Sequence, residues 1–190
     1  MLKSLEKKKY FVSLVMMIIA GGLDAYTYLM RGGVFAAMHT GNLIQIALCI
    51  VNSTYERIYT FIIPLLAFII GIVISFYVRR LKNGDIISGA VAVILYVVGF
   101  LIPHTGGLDV ISNVIISLGV ALQLQIIKSI NSFPVATTMC TGNMRSLGEC
   151  VCERISKKDK RYTLGAFIYS TLVLAFFAGV ILAAFIIKSI

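Results

Sequence analysis

Charge is what this sequence has least of. Asp, Glu, Lys and Arg make up 13% of its 190 residues, against roughly 25% in an ordinary soluble domain, and that is too few to cover a surface in water. The groups that carry chemistry are scarce as well. Four cysteines, Cys49, Cys140, Cys150 and Cys152, lie in or beside apolar stretches without CxxC spacing or accompanying histidines. This argues against a zinc site or a disulfide framework and leaves them as small, polarizable packing residues. No Walker sequence, HExxH, nucleophile elbow, dinucleotide fingerprint or paired catalytic carboxylates occurs, so neither an enzyme nor a bound cofactor or metal is expected. The lysine-rich start, Lys3 to Lys9, is followed by no small-x-small cleavage pattern and reads as the head of a retained first helix.

What the sequence does have is apolar length. Hydrophobic residues reach 59% and gather into seven segments, about 10–30, 33–52, 58–78, 86–103, 109–128, 134–153 and 162–188. Most approach the ~20 residues that cross a hydrocarbon core as a helix. The expected class is an all-α integral membrane protein with the lipid bilayer as its solvent. The formal charge of +9 sits in short clusters at segment ends, as the positive-inside bias and anionic headgroups dictate. With no aromatic-interleaved basic domain, it does not point to nucleic acid.

Internal repetition organises the segments. Tyr26–Asn42 (YTYLMRGGVFAAMHTGN) laid over Ile127–Asn143 (IKSINSFPVATTMCTGN) superposes Thr40-Gly41-Asn42 on Thr141-Gly142-Asn143, Met38 on Met139, Val34 on Val135 and Asp24 on Gln125. The register predicts two three-segment repeats, 1–82 and 106–190, joined by a linker helix at 83–105. Segments two and six are short, polar in the middle and interrupted by glycine, and are expected to be broken or re-entrant at Thr-Gly-Asn. If both cross the membrane the halves are parallel; if both re-enter, the halves are inverted. The basic clusters (Lys3, Lys7, Lys8 and Lys9; Arg79, Arg80 and Lys82; Arg154, Lys157, Lys158, Lys160 and Arg161) fall together on one side only in the re-entrant arrangement. That side, with the amino terminus, is expected to be cytoplasmic.

The candidate site follows from the same elements. A stretch poor in helix signals precedes each tripeptide, with Gly32-Gly33 in one copy and Pro134 in the other, and a helical run follows it, Leu43–Val51 and Met144–Cys152. Thr or Asn at the junction is placed to cap the new helix, whose free N–H groups and positive dipole end then face a protected point inside the membrane. The expected solute-binding residues are Thr40, Gly41, Asn42, Thr141, Gly142 and Asn143, with His39 beside the first tripeptide. Asp24 joins them as an intramembrane carboxylate, costly enough to suggest function, and Gln125 as its partner in register. An interfacial Asp24 paired with Arg31 is the plainer alternative. Gln123, Lys128 and Arg145 are further polar groups near the second tripeptide, with helix-surface and headgroup roles equally open.

The elements Gly22, Asp24, Ala25, Gly32, Gly33, Phe35 and Thr40-Gly41-Asn42, with a second LQLQIIKS…TGNM block, resemble the YoaK family of small bacterial membrane proteins. The resemblance spans most of the chain. It implies a multi-pass protein of the bacterial inner membrane and supplies no substrate. The broken segment before a short helix also looks like the arrangement in uracil and sulfate permeases, a likeness of architecture only. The expected function is a secondary transporter or facilitator of a small polar or anionic solute, with a coupling proton or cation and a homo-oligomer as further partners. A non-transporting membrane interaction module and a channel are the alternatives.

Overall fold

The computed structural model describes residues 4–189; Lys3, counted in the first basic cluster, lies outside them. Seven helices carry most of the chain: α1 (Ser4–Met30), α2 (His39–Val51), α3 (Ile58–Val78), α4 (Gly84–Leu101), α5 (Gly106–Leu124), α6 (Thr141–Lys157) and α7 (Arg161–Lys188). A two-stranded antiparallel ribbon, β1 (Ser129–Ile130) and β2 (Phe133–Pro134), lies between α5 and α6. Five helical units, α1, Tyr55–Val78, α4, α5 and α7, are long and apolar enough to cross a membrane. Their outward faces are covered by large exposed aliphatic and aromatic side chains, the surface expected of a protein solvated by lipid. The seven segments read from the sequence correspond to these helices, with α5 ending at Leu124 rather than near 128.

Local chemistry explains the breaks. α1 stops where Gly32 and Gly33 take positive φ (85° and 78°), a conformation that glycine adopts without a Cβ clash. Asn83, at φ 63°, turns the chain from α3 into α4, and Pro103 follows the end of α4, extending the residue before it.

The helix directions follow from the contacts. Arg31, just past α1, bonds the carbonyls of Ile102 and Pro103 and the carboxylate of Asp109, so the start of α5 lies at the end of α1. At the other end of α5, Gln123 Nε2 donates to the Met16 carbonyl. α1 and α5 therefore run in opposite directions. α1 packs chiefly on α7 and α3 chiefly on α5. In the first pair Tyr10 bonds Thr171, and Gly21 and Gly22 face Phe176 and Gly179, so these two helices are parallel. The backbones touch there: a Cβ on Gly179 would lie 2.0 Å from the Ile18 carbonyl oxygen and one on Gly21 2.1 Å from that of Phe176. Such small-residue crossings hold helices together where lipid offers no hydrophobic drive. With these directions, the start of α1, the α3–α4 turn and the α6–α7 connection share one end of the bundle. All three basic clusters, apart from Lys3, sit there, and the chain leaves α1 and enters α3 at the opposite end.

Candidate functional site

Each tripeptide closes its own loop by the same device. Asn42, fully buried, accepts the Phe35 N–H through Oδ1 at 2.9 Å and donates Nδ2–H to the Phe35 carbonyl at 2.7 Å. Asn143, 2% exposed, does the same to Ala136, at 3.1 and 2.7 Å, and also donates to the Met139 carbonyl. Phe35 and Ala136 occupy matching places in the register of the two tripeptides. One side-chain amide thus pairs with both backbone groups of one residue, substituting for a strand partner inside an apolar environment. The expected capping by Thr or Asn does not form. The residues at the helix boundaries are Met38 and Cys140, without side-chain cap bonds, because each Asn lies inside the first turn and reaches back to the loop instead.

The clasps bring the two helix starts to one place. A cavity of about 440 Å³ is lined by Ala37 to Gly41 from the first half, Met139 to Gly142 from the second, and Phe68 of α3. Thr40, Gly41, Thr141, Gly142 and His39 are therefore gathered around a single space, as are Met38 and Cys140. The Gly41 N–H is bonded to the Met38 carbonyl at 2.9 Å; the earlier N–H groups at the starts of α2 and α6 have no intrahelical partner and lie at the positive ends of the helix dipoles. His39 stacks near Phe68 with ring centroids 4.3 Å apart, and its Nδ1 lies 3.1 Å from Asn42 Nδ2. The His39 Nε2 is buried with no hydrogen-bond partner among the described residues. Gly142 faces open space, whereas a Cβ on Gly41 would strike the Phe35 ring at 2.6 Å.

Asp24 stands one layer behind. It is 3% exposed, and its Oδ1 accepts the Ala37 N–H at 2.7 Å. Its Oδ2 is buried without a partner among the described residues. Asp24 lines a separate cleft between α1 and α7, which meets the shared cavity at Met38.

The pairing of Asp24 with Arg31 is not found. Arg31 is buried against Asp109, 2.8 Å away, with Tyr26, Ile102 and Pro103 taking its other donors, and Asp109 also meets His104. Gln125 is half-buried just past α5 and does not line the shared cavity, because α5 has already ended. Gln123 is the buried amide there, bonded to Tyr96, to the Met16 carbonyl and to the Thr137 carbonyl. Arg145 points outward and pairs with Glu149. Sequence reading missed Phe68, the Arg31–Asp109 lock and the buried hydroxyls of Thr137 and Thr138. Asp109, an acidic group near the start of an apolar segment, was the one available signal for the lock.

The sequence profile of a family described as "Protein of unknown function (DUF1275)" matches residues 12–189. The chain belongs to this family. A relative, the UPF0700 transmembrane protein YoaK of Bacillus subtilis (strain 168), is 25% identical over 177 residues, covering 88% of this chain and 79% of that protein. No solved structure matches the chain. With five helices fit to span and a relative named as transmembrane, this DUF1275 chain is a multi-pass membrane protein.

Proposed function

We propose that the protein is a secondary transporter or facilitator of a small polar or anionic solute, held between two inverted repeats where α2 and α6 begin. The observation that carries this reading is the single cavity lined by both Thr-Gly elements. Its volume, about 440 Å³, falls within the roughly 300–1,000 Å³ of small-molecule sites. Two helix amino termini aimed at one point favour an anion or a polar acceptor, and the Thr40 and Thr141 hydroxyls and the His39 imidazole supply adjustable partners. Asn42 and Asn143 act on the solute indirectly, since their amides are engaged with the loops they clasp.

Three features support inverted, re-entrant repeats. The Asn clasps recur in register, α1 and α5 are antiparallel, and the packing is exchanged, with α1 of one half on α7 of the other and α5 on α3. Such an exchange is what a two-fold relation between halves requires. The α1–α3 connection also enters and leaves at one end of the bundle. Basic clusters at the other end support a cytoplasmic amino terminus in a bacterial cell membrane. Asp24 is the coupling group in this reading: the carboxylate that holds the Ala37 N–H loosens its grip when it takes up a proton or a cation, and the first loop is then free to shift.

The test is a thermal-shift screen of purified protein against nucleobases, amino acids, carboxylates and inorganic anions. A ligand of the native state adds about 2.7 kcal/mol at a hundredfold excess over its Kd. Gly142→Val, whose Cβ meets nothing within 4 Å and whose methyl groups add bulk to the cavity lining, is expected to fold normally and lose the shift. A panel without a single hit, or a hit unchanged in Gly142→Val, would refute the reading.

A further inference from the structure

An apolar groove runs along the outside of the bundle between α1 and α4. α4 packs chiefly on α5 and stands off α1, leaving clefts of about 420 and 410 Å³ between them. Ile19, Val93 and Tyr96 line both clefts, so the two are one groove, and it shares no lining residue with the cavity between the helix starts. α1 supplies Val12, Val15, Ile19, Gly22 and Tyr26 to it. These residues are spaced by three or four and therefore lie on one helix face, which runs roughly 21 Å from Val12 to Tyr26 at helical rise.

The two ends of the groove differ. Away from the basic clusters it is closed by Tyr26 against Phe100, with ring centroids 4.4 Å apart. At the basic end it is open, and Lys8 stands four residues before Val12 at the centre of the same α1 face. Lys128 follows Ile126 of the wall by two residues. Both lysines are exposed, and neither is ion-paired among the described residues, whereas Lys9 holds Glu6 and Arg79 holds Asp85. The mouth is therefore positive. The polar atoms of the walls are already engaged: the Tyr26 hydroxyl accepts from Arg31, and the Tyr96 hydroxyl donates to Gln123. What remains is a hydrocarbon slot, longer than the ~15 Å of one leaflet, and an empty gap there would forfeit its dispersion contacts.

We propose that the groove holds an acyl chain of an anionic phospholipid from the leaflet on the basic side, with its phosphate at Lys8 and Lys128 and its chain end toward Tyr26 and Phe100. Each lysine near the surface favours an anionic headgroup by about fivefold. A zwitterionic lipid offers the same chain but gains nothing from the mouth, and a lipid of the other leaflet meets the closed end. The bound chain lies against Gln123, which lines the groove and holds the Thr137 carbonyl of the loop into α6.

Tryptophan quenching tests it, because the chain has no tryptophan of its own. Phe11→Trp places one indole at the mouth of the groove. Phe167→Trp places one on α7, beside Tyr10 and so near the same depth, where it lines neither cleft. Both positions are exposed, and both variants are expected to fold. The intact protein in phosphatidylcholine vesicles is titrated with phosphatidylglycerol brominated on its acyl chains. Half-quenching of Phe11→Trp is expected at a mole fraction at least about fivefold lower than for Phe167→Trp, and brominated phosphatidylcholine should quench the two alike. Adding Lys8→Gln with Lys128→Gln should remove the difference, as should Val93→Phe, which fills the groove from an exposed position. Equal half-quenching by phosphatidylglycerol at the two sites overturns the proposal. So does a difference that survives Val93→Phe, which would mean headgroup attraction without a chain in the groove. Phe11→Trp quenched by neither lipid would show a second copy covering the face, and overturns it as well.

Discussion

The two halves of this protein share a clasp and differ in almost everything around it. Asn42 and Asn143 each pair with both backbone groups of the residue seven places earlier, and the two helix starts meet at one cavity. Around the first clasp stand Asp24 and His39 and an apolar helix face; around the second stand Gln123 and Cys140, a β-ribbon and a polar one. What the halves have in common is the geometry that places two helix ends together, and what differs is the set of ionisable groups and the outward face. In the two-repeat reading proposed above, that difference would give the two sides of one site different tasks.

The largest expected effect breaks the exchanged packing. Gly179→Leu drives a side chain into the Ile18 carbonyl, and size-exclusion of the detergent-solubilised protein should show no folded peak. Next comes the lock between the halves, formed by Arg31 of the first and Asp109 of the second: Arg31→Leu strands a buried Asp109 and should cost about 3–5 kcal/mol. Its counterpart in register, the exposed Ser132, should tolerate alanine within about 0.5 kcal/mol. Smaller, and more informative about the repeat, are Asn42→Ala and Asn143→Ala, each expected to cost about 1–3 kcal/mol through an unpaired loop residue. Losses differing by more than about 1 kcal/mol would contradict equivalent clasps. Least in stability is Asp24→Asn, whose amide oxygen still accepts the Ala37 N–H; it should cost under about 1 kcal/mol and remove any pH dependence of solute binding between the two variants. Retained pH dependence would take Asp24 out of the coupling role.

The sequence carries the membrane class and the positions of the helices, because long apolar runs with charge confined to their ends have few other readings. The tripeptide match is also visible there, since it rests on identical residues in register. Less legible is the use to which those residues are put. Thr40 and Thr141 have the right chemistry for caps, yet the clasping amide lies two residues later, and only the path of the loop shows this. Arg31 and Asp109 are far apart in the chain and share no periodicity, so their pairing is invisible until α1 and α5 are set antiparallel. The ribbon at Ser129–Pro134 is too short to show an alternating pattern, and a turn at Gln125 and Ile126 ahead of it ends α5 a turn short of the apolar run.

The most direct test of the shared site uses one thiol from each half. Thr40→Cys in a Cys140→Ser, Cys152→Ser background and native Cys140 in a Cys152→Ser background are alkylated with and without each solute class of the thermal screen. One and the same class should slow both reactions, because both thiols line one cavity. Slowing of one alone, or of neither by any class, would contradict a solute site built by the two halves together.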